Sequence, residues 1–236
     1  MVWELDGTTP RRVEPDPPEP IGVPSPLTAE ATLLLEQAGV DVVVEEGEVI
    51  GEVQGLEVAR VVLDGPDGPA RLEVGVGRFD REAFALIHGE LSPPEALARV
   101  VADVGEHRRP GVEPHPINRL ARERWLRRRI IDEPALVGAA ALGAVDAARP
   151  RGGLRDPGIA VALGARSDGT PLVVACTTGI DLEAVPDAAD ARLRHAPQAE
   201  LVIAVPARDA HRITRELAEL LARPAEVVTV EGAWPT

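Results

Sequence analysis

Eight arginines fall between His107 and Arg129, at positions 108, 109, 119, 122, 124, 127, 128 and 129, and only Glu113 and Glu123 oppose them. The segment therefore carries +6 in a chain whose net charge is −14, leaving −20 on the rest. Guanidinium is a rigid fork that grips carboxylate or phosphate through paired hydrogen bonds. Read as one basic helix over 117–131, the spacing brings Arg119, Arg122 and Arg129 within about 80° of one another, at roughly 100° per residue. Two kinds of chemistry suit such a stripe. It could bind an anionic ligand or nucleic acid, or it could pair with carboxylates of the protein itself or of an acidic partner subunit. Pairing is favoured, because the surplus acid elsewhere needs counter-charge and this segment is its densest source. Arg119, Arg122, Arg127, Arg128 and Arg129 are the candidate partner- or anion-binding residues.

Other reactive types are sparse. Cys176 is the only cysteine and ends an apolar run just before an expected helix. A thiol there could be a nucleophile, but a phosphatase loop needs arginine six residues later, where Leu182 stands. A buried, unreactive cysteine is expected. A single cysteine also excludes an internal disulfide and a multi-cysteine zinc site. The histidines, at 88, 107, 115, 195 and 211, show no metal-ligand spacing, so no metal and no cofactor are expected. Asp181, Glu183, Asp187 and Asp190 could bind Mg²⁺ or do acid–base work. They read more simply as a solvated helix face with Asp181 as its cap. Lysine is absent, which rules out Schiff-base chemistry and a Walker A lysine.

The elements that must position these residues read as α/β. In a chain of 236 residues the expected organisation is two lobes joined by the basic helix. Seven prolines in residues 1–26 predict a disordered, polyproline-like arm outside the core. Residues 27–110 form the first lobe: a helix over 28–38, strands over 40–44, 49–53, 56–63 and 71–76, and helices over 80–88 and 93–108. Ser92 and Glu95 form a capping box for the last of these. Residues 111–157 hold the basic helix, then an Ala/Gly-rich helix and linker. Residues 158–236 form the second lobe, with strands over 158–164, 171–176, 200–205 and 226–230 and helices over 182–195 and 208–222. Residues 62–83 and 162–184 share a pattern of strand, Asp-Gly turn, strand and Asp-x-Glu-Ala helix start. It fits either an internal duplication or the shared grammar of hairpins that feed helices.

The order helix, three strands, helix resembles the core of the PD-(D/E)XK nuclease-like superfamily, over about 60 residues in each half. That family carries one acid on the second strand and an acid-x-lysine on the third. Here Glu57 lies on a middle strand, and Glu73-Val74-Gly75 has glycine where lysine belongs. Val173-Val174-Ala175 in the second half has no acid. The resemblance implies a nuclease-like fold without its metal site.

The expected function is a non-enzymatic interaction or regulatory protein, acting on a protein partner or on a second copy of itself. The alternative is a catalytically degenerate nuclease-like protein that binds nucleic acid through the arginine helix. The acidic charge disfavours broad contact with nucleic acid or anionic membrane. With no signal-peptide core and no long apolar run, a cytoplasmic protein is expected.

Overall fold

The structure, a computed structural model, describes residues 2–14, 20–65, 68–77, 80–83, 90–109, 111–113, 115–149, 153–156 and 158–232. They form an α/β protein with three sheets. The first is a two-stranded antiparallel ribbon, β1 (Val2–Asp6) and β2 (Thr9–Val13). This corrects the expectation of a wholly unstructured arm. The ribbon contains a single proline, Pro10 opposite Leu5, so every other residue of its two strands keeps the backbone donor needed for pairing. Pro15, Pro17 and Pro18 lie outside the described residues. Farther on, the chain touches the body: Gly22 lies so near the Glu46 backbone that a Cβ would come within 2.4 Å of it. The Pro20 carbonyl accepts from Arg194 at 3.2 Å.

The second sheet is an antiparallel meander of β3 (Asp41–Glu45), β4 (Glu48–Val53), β5 (Leu56–Leu63) and β6 (Ala70–Val74). Two-residue turns join the first three strands. Glu46-Gly47 and Gln54-Gly55 all have positive φ, the conformation that matches the twist of a tight hairpin. Helices α1 (Ala29–Gln37) and α2 (Pro93–His107) cover one face. Leu35, Leu97, Val100 and Val104 pack there against Leu56, Val58 and Val61. At the start of α2, Glu95 accepts from the Ser92 amide at 3.0 Å and its hydroxyl at 2.6 Å. Residues 80–83 are helical, and 84–89 lie outside the described residues.

The third sheet has order β11-β10-β9-β8-β7, from β7 (Ala141–Val145), β8 (Ala160–Ala165), β9 (Pro171–Cys176), β10 (Glu200–Pro206) and β11 (Glu226–Val230). β7, β8 and β9 are antiparallel neighbours, while β9, β10 and β11 run parallel. Between the chain's α2 and this sheet lies α3 (Arg122–Asp132). The parallel strands are linked by α4 (Ala184–His195) and α5 (Arg212–Leu220). Apolar residues of both faces are buried, so β9 and β10 read as unbroken apolar runs rather than alternations. Val173, Ala175, Leu201 and Ile203 belong to the cluster that includes α4, and Leu172, Val174, Val202 and Ala204 to the cluster that includes α3.

Two assignments differ from expectation. The basic helix does not run from 117: a 3-10 turn covers Pro116–Arg119, Ala121 takes φ 42°, and α3 begins at Arg122. Arg119 is therefore off the helix and shares no face with Arg122 and Arg129. The Ala/Gly-rich stretch after α3 is a 3-10 turn, Pro134–Val137, followed by β7. Its alanines suit a helix, but pairing with β8 decides the outcome. The hairpins β5–β6 and β8–β9 are alike, yet only the second continues into parallel strands.

Candidate functional site

The arginines of α3 divide by helical position. Leu126 and Ile130 pack on the five-stranded sheet. On the opposite side, Arg124, Arg127 and Arg128 meet carboxylates of β3 and β4. Arg127 is 2% exposed and its Nη2 donates to both Glu52 oxygens, at 2.9 and 3.0 Å. Arg124 donates to Glu52 at 3.1 Å and to Glu45 at 2.6 Å. Arg128 lies 2.8 Å from Asp41 and 2.7 Å from Asp132. One apolar stripe and one cationic stripe thus bind α3 to two different sheets.

Burial shapes the charges in this seam. Burial alone would raise the Glu52 pKa, but Arg127 and Arg124 outweigh it and hold the carboxyl below its ordinary value. For Glu45 burial prevails over the same two arginines and the carboxyl is raised. Asp41 is likewise raised by burial, against Arg128. A polar cavity of about 110 Å³ adjoins the seam, lined by Glu45, Arg60, Arg124, Arg127 and Asp146 among others. Asp146, just after β7, also accepts from the Glu46 amide at 3.2 Å, a second tie between the sheets.

Arg108 organises the entrance to α3. Fully buried, it donates to the carbonyls of Gln54 (2.8 Å), Ile117 (3.1 Å), Leu120 (2.9 Å) and Ala121 (3.0 Å). Its guanidinium lies 4.6 Å from the Trp125 ring centroid, a cation–π arrangement. Burial lowers its pKa to about 10. By gathering the carbonyls of 117, 120 and 121, Arg108 stabilises the break that sequence periodicity did not show. Gly55 lets the β4–β5 turn approach: a Cβ there would lie 2.4 Å from the Arg124 carbonyl.

The candidate residues therefore have different fates. Arg127 faces inward and is not presented to a partner. Arg128 is half-buried in its ion pairs. Arg122, 3.8 Å from Asp209, and Arg129, 3.9 Å from Glu133, are partly exposed. Arg119 is exposed and forms no ion pair among the described residues. The five do not share one environment: Arg127 is buried, Arg122, Arg128 and Arg129 are partly exposed, and Arg119 is exposed.

The remaining reactive groups are held in place. Cys176 is fully buried, and burial pushes its thiol up to about 12. Glu57 is tied to Arg60 at 2.9 Å and to Arg81 at 2.5 Å, and Arg81 also reaches Glu73 at 3.5 Å. A guanidinium thus stands between the two acids that the nuclease-like pattern would assign to a metal. Burial raises Asp187, opposed by Arg149 3.4 Å away. Among the described residues, no group of three or more His, Cys, Asp and Glu is placed to hold a metal, and no helix is long and apolar enough to cross a membrane.

Sequence reading missed Arg108, whose role depends on carbonyls up to 54 residues away, and the acceptors Glu45 and Glu52. Glu52 had one local signal, an acid inside an otherwise apolar strand. Compared with protein-family models, curated proteins and solved structures, the chain gives no match.

Proposed function

We propose that this protein is a non-enzymatic, self-associating interaction protein, working in the cytoplasm. Its contact face is the end of the five-stranded sheet where β9 and β10 finish. The observation that carries this reading is an exposed apolar group at that end. Ile180 and Leu182 follow β9 and are 66% and 57% exposed, and Ile213 opens α5 and is 40% exposed. β9 and β10 are paired neighbours, and the Gly179 amide donates to Asp209 at 2.8 Å, so the two loops adjoin. Charges of both signs flank the group: Asp181 and Glu183 before α4, Arg208 and Arg212 beside α5. An apolar centre between opposite charges suits a two-fold contact, in which one copy's acids meet the other's arginines. The burial of Cys176 and the ion-paired carboxylates of β4 and β5 support a role without catalysis.

Light scattering after size exclusion tests the reading. The protein elutes as a dimer at micromolar concentration, and the Ile180→Asp, Leu182→Asp double variant elutes as a folded monomer. A monomeric parent protein overturns it.

A second reading rests on element order. Helix α3, the meander β7–β9, then α4 and β10 follow the nuclease-like sequence of elements, with no acid on β8 or β9. In that reading the protein binds nucleic acid through Arg122 and Arg129 on α3, with Arg119 contributing separately from the preceding turn. Binding at about 150 mM salt, weakening with salt by about one unit of log–log slope per phosphate contacted, would favour it over self-association.

A further inference from the structure

We propose that the corner where α4 ends and β11 begins is a binding site for a small organic oxyanion, a carboxylate or phosphate on a partly apolar molecule, held by Arg192 and Arg223. The corner opens into a cleft of about 740 Å³. That volume falls within the range of small-molecule sites. It lies at the N-terminal ends of β10 and β11, opposite the proposed contact face, and is independent of it.

The charge balance there differs from the rest of the molecule. The cleft's two acids, Glu200 and Glu226, are both committed to Arg166. Arg192 and Arg223 have no carboxylate at ion-pair distance among the described residues. Arg192 is 8% exposed, and its one hydrogen bond among those residues is from Nη2 to the Arg223 carbonyl at 2.9 Å. Burial first, and then the adjacent Arg223 charge, hold its pKa below the ordinary arginine value. The C-terminal end of α4 favours a cation, which accounts for one arginine but not for a second beside it. Arg108 shows what a self-sufficient buried arginine needs: four carbonyls and an indole face. Arg192 has one carbonyl and an open cleft.

Arg223 is also set in position beforehand. Its guanidinium donates to the carbonyls of Pro197 (2.7 Å), Gln198 (3.0 Å) and Ala199 (3.3 Å), fixing its orientation. Two oriented like charges in a concave corner suit an oxyanion, which accepts several hydrogen bonds at once. Leu201, Ala222 and Pro224 give the same cleft an apolar wall, which selects an anion with an organic body over a bare inorganic ion.

Calorimetric titration at constant ionic strength tests the site with inorganic phosphate, phenyl phosphate and benzoate. At least one organic anion is expected to saturate a single site and to bind more tightly than inorganic phosphate. The phenyl phosphate and benzoate arms separate a phosphate ligand from a carboxylate. Arg223→Gln, at an exposed position, should remain folded and weaken binding by about tenfold or more. Arg192→Met should do the same, and Arg122→Gln, at the other end of the sheet, should change nothing. The monomeric Ile180→Asp, Leu182→Asp variant should bind like the parent, which separates this site from self-association. Failure of all three probes to saturate overturns the proposal. So does a folded Arg223→Gln variant that binds as tightly as the parent.

Discussion

Arginines serve opposite ends in two regions of this molecule. In the seam between the sheets, Arg124 and Arg127 face Glu45 and Glu52, two charges against two, with water largely removed. At the α4–β11 corner, Arg192 and Arg223 stand together on carbonyls, with no carboxylate at ion-pair distance among the described residues because Glu200 and Glu226 are taken by Arg166. A neutralised cluster is complete and holds structure together. An un-neutralised one keeps its capacity to attract. In a chain of net charge −14, the location of missing counter-charge is therefore more informative than the location of positive charge. The densest arginine run turned out to be the more internally satisfied.

The largest expected effect lies in the seam. Arg127→Ala leaves Glu52 buried with half its partners and should lower unfolding free energy by about 3–5 kcal/mol, read from urea denaturation. A loss under about 1 kcal/mol would mean the seam is as weak as an exposed pair and would erase the contrast. Acid titration sharpens it next. Glu52 has a lowered folded pKa, so its contribution is complete above the ordinary glutamate value of 4.5 and is lost as pH falls through the lower folded value. Glu45 is raised, so the fold binds its proton first, and its contribution grows as pH falls toward 4.5. Urea midpoints across about pH 3 to 7 should show the two substitutions acting in opposite senses. Glu52→Gln removes acid sensitivity below 4.5, and Glu45→Gln removes a gain above it. The smallest effect belongs to the corner. Arg223→Gln relieves repulsion while losing exposed carbonyl contacts, and should change stability by under about 1 kcal/mol. A loss comparable to that of Arg127→Ala would make the corner a structural clasp.

Much of the fold was legible because local rules and tertiary structure agree. β5, β9 and β11 end where their Val- and Leu-rich runs end, and Ser92 and Glu95 mark the start of α2. Legibility failed where distant groups decide. Ala121 adopts φ 42° without glycine or asparagine to announce it, since the carbonyls that require the bend are gathered by Arg108. β7 looked helical because alanine favours helix, until β8 supplied a pairing partner. In the site, a stripe on a helical wheel identified where charge is dense but not which acids would meet it, because Glu45 and Glu52 lie on another element. The α4–β11 corner gave no signal, as Arg192 and Arg223 are far apart in sequence and come together only through the crossover topology.

The seam also bears on the order in which the protein can be made. Glu52 and Arg127 are separated by 75 residues. At a synthesis rate of about 5–20 residues per second, the meander's buried acid waits roughly 4–15 s for its cation. During that interval a folded four-stranded sheet would have to keep an unpaired carboxylate away from water or leave β4 open to it. Until α3 arrives, the face of β4 that carries Glu52 stays open to water, and the arginine helix supplies both the cover and the counter-charge that complete it.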